Sequence, residues 1–308
     1  MRKRSLHLAL AGACALALAG CGREQGAAPQ PKFITVSTSI GAMSRVSSSE
    51  DGSQSFEAGD EISVYAWTGS GASAPSASDR VVDNSVNRLG PDGKWTATPQ
   101  MLWKNMVDEH YFIGVYPKDA SSVADLTKAD YTLDVSDQGS SDLLIATELD
   151  GKVANNNPVG LTFDHAMAKV VVELTFRNQW DNTVKSVESV ESVEFKNVAT
   201  SATVNYLTKA VTAGPSRAES LSIPEIAEDT RYESVLIPQD GVRTVVITIK
   251  SGDTVKGYTY THSTDLNFAG GKVTTIRIIV GRNQIDLADV TINDWVAGET
   301  IDDGEALD

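Results

Sequence analysis

The feature that most constrains this chain is a two-residue hydrophobic alternation. It recurs in short runs from residue 33 nearly to the C terminus, broken by Gly, Asn, Asp and Pro. Alternation sends successive side chains to opposite faces of a pleated strand, so such runs build sheets with a buried face. Phe33-Ile34-Thr35-Val36-Ser37-Thr38 and Ile62-Ser63-Val64-Tyr65-Ala66-Trp67 alternate in this way, whereas Tyr111–Tyr116, ended by Pro117, is more continuously apolar. Leu161-Thr162-Phe163 leads into Ala168–Phe176, followed later by Val193–Phe195, Ala202–Tyr206, Ser234–Ile237, Arg243–Ile249, Lys256–Thr261 and Val273–Val280. Asp240-Gly241 and Ser251-Gly252-Asp253 stand where hairpin turns belong. No window of a dozen residues keeps a 3.6-residue period. Residues 181–194 come nearest, with Val184, Val187, Val190 and Val193 at every third position. Their β-branching favours two short strands with a polar connection instead. The chain reads as all-β, with the turn spacing of β-sandwiches.

The N terminus follows different rules. Arg2, Lys3 and Arg4 precede an apolar run that closes on Leu18-Ala19-Gly20-Cys21. A basic start, an apolar middle and a small-residue cleavage site make an export signal. The run is roughly 16 residues, short of the ~20 needed to span a bilayer. Its end resembles a lipoprotein signal. That resemblance implies cleavage before Cys21, acylation of the Cys21 thiol and new amino group, and anchoring of the protein at the outer membrane and cell surface. Residues 21–32, beginning with the lipidated Cys, read as a flexible tether rich in Gly, Pro and Gln.

Composition narrows the chemistry. The chain has two Cys. Cys14 leaves with the signal and Cys21 carries lipid, so the mature body is read without disulfide, thiolate zinc site or Cys nucleophile. Roughly 285 mature residues suffice for two domains. The net charge is −15, and removal of residues 1–20 takes away three basic and no acidic groups, leaving −18. That balance argues against nucleic acid and against docking on anionic lipid. His110, His165 and His262 show no close ligand spacing and read as structural, and no nucleophile elbow or phosphate loop appears. The many carboxylates read as a solvated face, and Asp302-Asp303-Gly304-Glu305 lacks calcium-loop spacing. No enzyme, metal or cofactor is expected. Trp67, Trp95, Trp103, Trp180 and Trp295 read as packing residues, although clustered at one end they could form a sugar platform. Two Ser/Gly/Ala-rich stretches, Ser44–Ser55 and Thr68–Ser78, read as exposed, mobile loops.

Several segments together resemble the fimbrillin (Mfa-like, FimA-like) surface lipoproteins of Bacteroides-type bacteria. They are Phe56-Glu57-Ala58-Gly59-Asp60-Glu61-Ile62-Ser63-Val64-Tyr65, Trp95 and Trp103, then Tyr111–Pro117 and Ser141–Ala146. Leu161-Thr162-Phe163-Asp164-His165-Ala166-Met167-Ala168-Lys169, Val235–Gln239, Phe268–Thr274 and Ile292-x-x-Trp295 complete the set. The resemblance implies two tandem transthyretin-like β-sandwich domains after the lipoprotein signal. It implies a fimbrial (pilus) subunit, stalk or tip, that assembles by donor-strand exchange and supports cell adhesion. Its partners would be other fimbrial subunits, the membrane through Cys21, and a host or glycan receptor. In that family an arginine-specific protease removes the first strand. Arg45, followed by Val46, stands where the cleavage residue stands, which makes Phe33–Ile40 the removed strand.

The domains are placed at 33–164 and 165–283, since Asn155-Asn156-Asn157-Pro158 breaks the pattern before 164. Residues 284–308 form a C-terminal strand and tail. Ile285, Leu287, Val290 and Ile292 would be the apolar residues of a donor strand, or of the last strand of their own domain. Two other readings stand beside this one: a non-polymerising carbohydrate-binding surface lipoprotein, and a secreted hydrolase, for which no converging carboxylates or nucleophile are visible.

Overall fold

The computed structural model describes residues 32–41, 55–176, 188–281 and 285–294. The signal segment, Cys21 and its tether up to residue 31, Arg45, Val46, Trp180, Trp295 and the acidic end lie outside the described residues. The fold is all-β. Its helical elements, among the described residues, are the 3₁₀ turns Ala77–Asp79 and Gly139–Ser141.

Nineteen described strands form four sheets. The largest runs, in spatial order, β1 (Val36–Ile40), β8 (Val159–His165), β7 (Leu144–Lys152), β5 (His110–Tyr116), β2 (Glu61–Thr68), β3 (Val82–Leu89) and β4 (Trp95–Thr98). A five-stranded sheet runs β14 (Glu225–Ala227), β15 (Arg231–Leu236), β9 (Ala168–Phe176), β18 (Lys272–Val280) and β19 (Ile285–Asp294). A four-stranded sheet runs β13 (Arg217–Ser222), β10 (Glu188–Ala199), β16 (Gln239–Ser251) and β17 (Thr254–Phe268). The smallest joins β12 (Ala210–Ala213), β11 (Ser201–Asn205) and β6 (Ala129–Thr132). Pairing is antiparallel except for β1 on β8 and β9 on β18.

Burial explains the two kinds of sequence run. On β2, Ile62, Val64 and Ala66 enter one apolar cluster while Tyr65 and Trp67 enter another. On β5, Phe112 enters the first and Tyr111, Ile113 and Val115 the second. A strand covered on both faces has no polar side, hence the continuous apolar run at 111–116. The second cluster also takes in Phe195, Ile247 and Phe268, so apolar packing runs on across residue 164. The chain leaves the seven-stranded sheet at His165 and enters the five-stranded one at Ala168.

Two local expectations are corrected. Asp240-Gly241 is no hairpin turn. It lies inside β16, where the register shifts between Gln239 and Val242 and Gly241 takes φ 84°. A bulge asks for the same left-handed glycine as a turn, which is why the pair reads as one. Residues 188–194 belong to one long strand, β10, that absorbs its irregularity as a register shift between Val190 and Ser192; residues 181–187 lie outside the described residues. Gly252-Asp253 does turn the β16–β17 hairpin, with Ser251 opposite Thr254 and Gly252 at φ 58°.

Candidate functional site: the seat of the first strand

β1 is the edge of the seven-stranded sheet, and its sequence dictates how it sits. Alternation turns Ile34 and Val36 into the core, at 1 % and 6 % exposure, and leaves Thr35, Ser37 and Ser39 to solvent. Thr38 and Ile40 continue the inward face, half-buried. The register on β8 is parallel, from Val36 opposite Val159 to Ile40 opposite Phe163. Parallel pairing needs no hairpin between the strands. Among the described residues, β1 is therefore held by its neighbours and not by a turn.

The hold is easily itemised by atom. The Val159 N–H donates to the Thr35 carbonyl at 2.8 Å and the Gly41 N–H to the Phe163 carbonyl at 2.7 Å. Upstream, the Ile34 N–H donates to the Met101 carbonyl and the Trp103 N–H to the Lys32 carbonyl, with Phe33 bridged to Leu102. Phe33 itself is half exposed, so the regular strand starts at Val36, three residues later than the alternation suggests. A Cβ at Gly41 would meet the Asp164 carboxylate, which would have to swing aside where the chain leaves the sheet.

Opposite the free edge of β1 lie Phe56, Leu89 and Trp95, and between them is a groove of about 830 Å³. The Trp95 indole N–H reaches across and donates to the Thr38 hydroxyl at 3.1 Å. Phe56 packs edge-on against Trp95, Tyr116 and Phe163, with ring centroids 5.1–5.4 Å apart. The run 56–65 makes this possible. Gly59 turns at φ 108°, the Asp60 carboxylate accepts the Glu57 N–H at 2.7 Å, and β2 starts directly after. Asp60 also accepts the Tyr116 hydroxyl, and burial together with that carboxylate raises the Tyr116 pKa. The groove offers an apolar wall and a strand edge that is unpaired among the described residues. These are the features that bind an extended chain.

The histidines are structural in their described contacts. His110 is fully buried, accepts the Lys104 N–H at Nε2 and lies edge-on to Trp103, and burial lowers its pKa. His165 lies 2.8 Å from Asp142, and His262 bonds Thr264. No group of three or more His, Cys, Asp and Glu gathers as a metal site among the described residues. Trp67 and Trp103 are buried and Trp95 half-buried, so these three form no exposed platform. Of the proposed donor residues, Val290 and Ile292 lie on β19, half-buried and exposed, and Ile285 and Leu287 share that strand. β19 is itself the edge of its sheet, antiparallel to β18. Sequence reasoning identified β1 but missed Phe56 and Leu89 as its opposite wall. Only the aromatic at the head of the 56–65 run hinted at one.

The fimbrillin-like family model matches residues 44–295. No curated protein matches the chain at a significant level. Among solved structures, a protein described as a cell-adhesion candidate from Bacteroides uniformis is similar at TM-score 0.64 and 17 % identity, over 86 % of this chain and 99 % of that one. A fimbrial protein from Bacteroides vulgatus is similar at TM-score 0.55 and 11 % identity, over 86 % and 100 %. The tip fimbrial protein Mfa3 of Porphyromonas gingivalis, truncated at its C terminus, is similar at TM-score 0.50 and 9 % identity, over 78 % and 95 %. At these identities the structures speak for the fold alone.

Proposed function

The chain belongs to the fimbrillin-like family, and from that premise we propose that it is a subunit of a cell-surface fimbria whose first strand is replaced by a strand from a neighbouring subunit. The observation that carries this reading is β1 itself. It is an edge strand in parallel register, tied to no hairpin, beside an open apolar groove. Its removal would strip the Ile34 and Val36 seats and the β8 edge of cover, costing about 1.5–3 kcal/mol per large aliphatic residue. An incoming strand that restores both the ladder and the seats recovers that energy. The protein is non-enzymatic and serves adhesion. It is carried to the outer membrane by lipid on Cys21 and matured by cleavage between Arg45 and Val46, and its two halves, 33–164 and 165–283, are transthyretin-like sandwiches. The C-terminal strand bearing Ile285, Leu287, Val290 and Ile292 is the segment available for donation.

The test is N-terminal sequencing and intact mass of the surface protein before and after an arginine-specific protease. A lipidated Cys21 that gives way to a new start at Val46, with β1 released and strand-linked oligomers appearing, is the expected outcome. A chain that keeps residues 21–45 and stays monomeric would overturn the exchange reading.

A further inference from the structure

The core-facing seats of the first strand are four alternate positions: Ile34, Val36, Thr38 and Ile40. Three hold large aliphatic side chains. The third holds a threonine, and the groove of about 830 Å³ opens beside it, walled by Ile40, Phe56, Leu89 and Trp95. The Trp95 N–H, bonded to Thr38, supplies one donor there. Lys94 also borders the groove, but its side chain is 82 % exposed and its ammonium lies 3.9 Å from Asp92. A carboxylate in this row of seats would give up water for one indole N–H and aromatic carbon, which is unfavourable.

This chain's own C-terminal strand brings such a carboxylate in every register. β19 reads Ile285-Asp286-Leu287-Ala288-Asp289-Val290-Thr291-Ile292-Asn293-Asp294. Four alternate seats can be filled from these ten residues in four ways. Asp289 falls in a seat in two of them, Asp286 in the third and Asp294 in the fourth. Reversing the strand changes the order within each set, not its members. One threading places Ile285 and Leu287 in the two deepest seats and then puts Asp289 where Thr38 sits.

Resting on the exchange reading above, we propose that the seat of β1 takes a strand from a different kind of subunit, one with four uncharged, mainly apolar residues at alternate positions, and rejects this chain's own C-terminal strand. The subunit then does not polymerise with itself, and holds a position in the fimbria that occurs next to other chains only.

Two sets of measurements test this. In the intact full-length chain, Thr38→Asp should lower the melting temperature by several degrees while Thr38→Leu leaves it equal or higher. A Thr38→Asp variant as stable as the parent, or a Thr38→Leu variant as damaged as Thr38→Asp, would overturn the inference. In protein cleaved after Arg45, three labelled peptides are then compared by fluorescence anisotropy: residues 32–41, residues 285–294, and residues 285–294 with Asp289→Leu. The first and third should bind, the third at least about tenfold more tightly than the second. Equal binding of the last two sinks self-exclusion and leaves exchange standing. Failure of the 32–41 peptide to rebind its own seat sinks exchange itself.

Discussion

Lys169 stands on β9 with its ammonium 2.6 Å from the Glu233 carboxylate of β15, and its side chain is only 6 % exposed. Burial alone would raise the Glu233 pKa, but Lys169 and Arg231 more than offset it and hold the group below its ordinary value of 4.5. The sign follows. A carboxylate depressed by folding contributes stability above its unfolded pKa and loses it as pH falls through the lower folded value. Lys169→Ala should therefore cost about 3 kcal/mol at neutral pH. In urea melts across an acid series, its gap to the parent should narrow once pH drops below 4.5. A gap constant with pH would mean that lost packing, not charge, sets the cost. The same short stretch explains why 161–169 is recognisable in the sequence. Leu161, Phe163 and Met167 are buried, His165 meets Asp142 and Lys169 meets Glu233. The Gly270-Gly271 pair completes it. A Cβ on Gly270 would come within 2.7 Å of the Ala166 carbonyl, and Gly271, at φ 66°, donates its N–H to Met167. The pattern was legible as residues; the bonding between 165–169 and 268–272 was not, because nothing local brings a crossing and a turn a hundred positions apart together.

At the scale of the element, Gly114 shows how tightly the sheets are filled. It sits mid-β5, where an added Cβ would meet the Phe163 ring at 2.6 Å and Leu161 at 3.2 Å. Gly114→Ala should destabilise by about 1–3 kcal/mol through overpacking, seen as a lower urea midpoint with unchanged slope. Phe163→Leu in the same background should recover part of it, because the clash lies with that ring. Strand existence was largely readable, since alternation is imposed by the pleat. β5 was readable as a different kind of strand, since cover on both faces removes the polar alternation. Asp240-Gly241 misled because a bulge and a turn make one demand of the backbone. The candidate site divides in the same way. The inward residues of β1 are written in its alternation, whereas the groove beside them depends on Leu89 and Trp95, some fifty residues on and placed by the β3–β4 pairing.

For the described body as a whole, the elements on the two sides of residue 164 share polar as well as apolar ties. β6, from before that point, completes the sheet of β11 and β12 from after it. Nearby, Asp119 accepts hydroxyls from Tyr65 at 2.7 Å and Tyr206 at 2.8 Å. Burial raises the Asp119 pKa against the pull of both hydroxyls, and raises both tyrosines. A carboxyl raised by folding favours the native state more as pH falls through its folded value, the reverse of Glu233. Asp119→Ala would leave two buried hydroxyl protons without their acceptor, a loss of about 2–4 kcal/mol. Because the ties cross residue 164, Trp fluorescence and far-UV circular dichroism should still report one coincident transition in that variant. Two separated transitions would mean that the halves fold independently and that Asp119 acts only on one. None of these ties could be anticipated from sequence, because Tyr65 and Tyr206 look like any other strand tyrosines.

The parallel pairing of β1 also sets a timetable. Its partner residues on β8 lie more than a hundred positions downstream, Ser39 meeting Thr162 across a separation of 123. A chain that emerges N terminus first must keep its earliest strand waiting until almost half of the body has followed. Contacts so distant in sequence close late, since the entropy of the intervening loop must be met first. The earliest strand of the body is thus secured well after it is made, and the ladder between β1 and β8, at the sheet edge, should exchange its amide protons sooner than the ladder between β2 and β5.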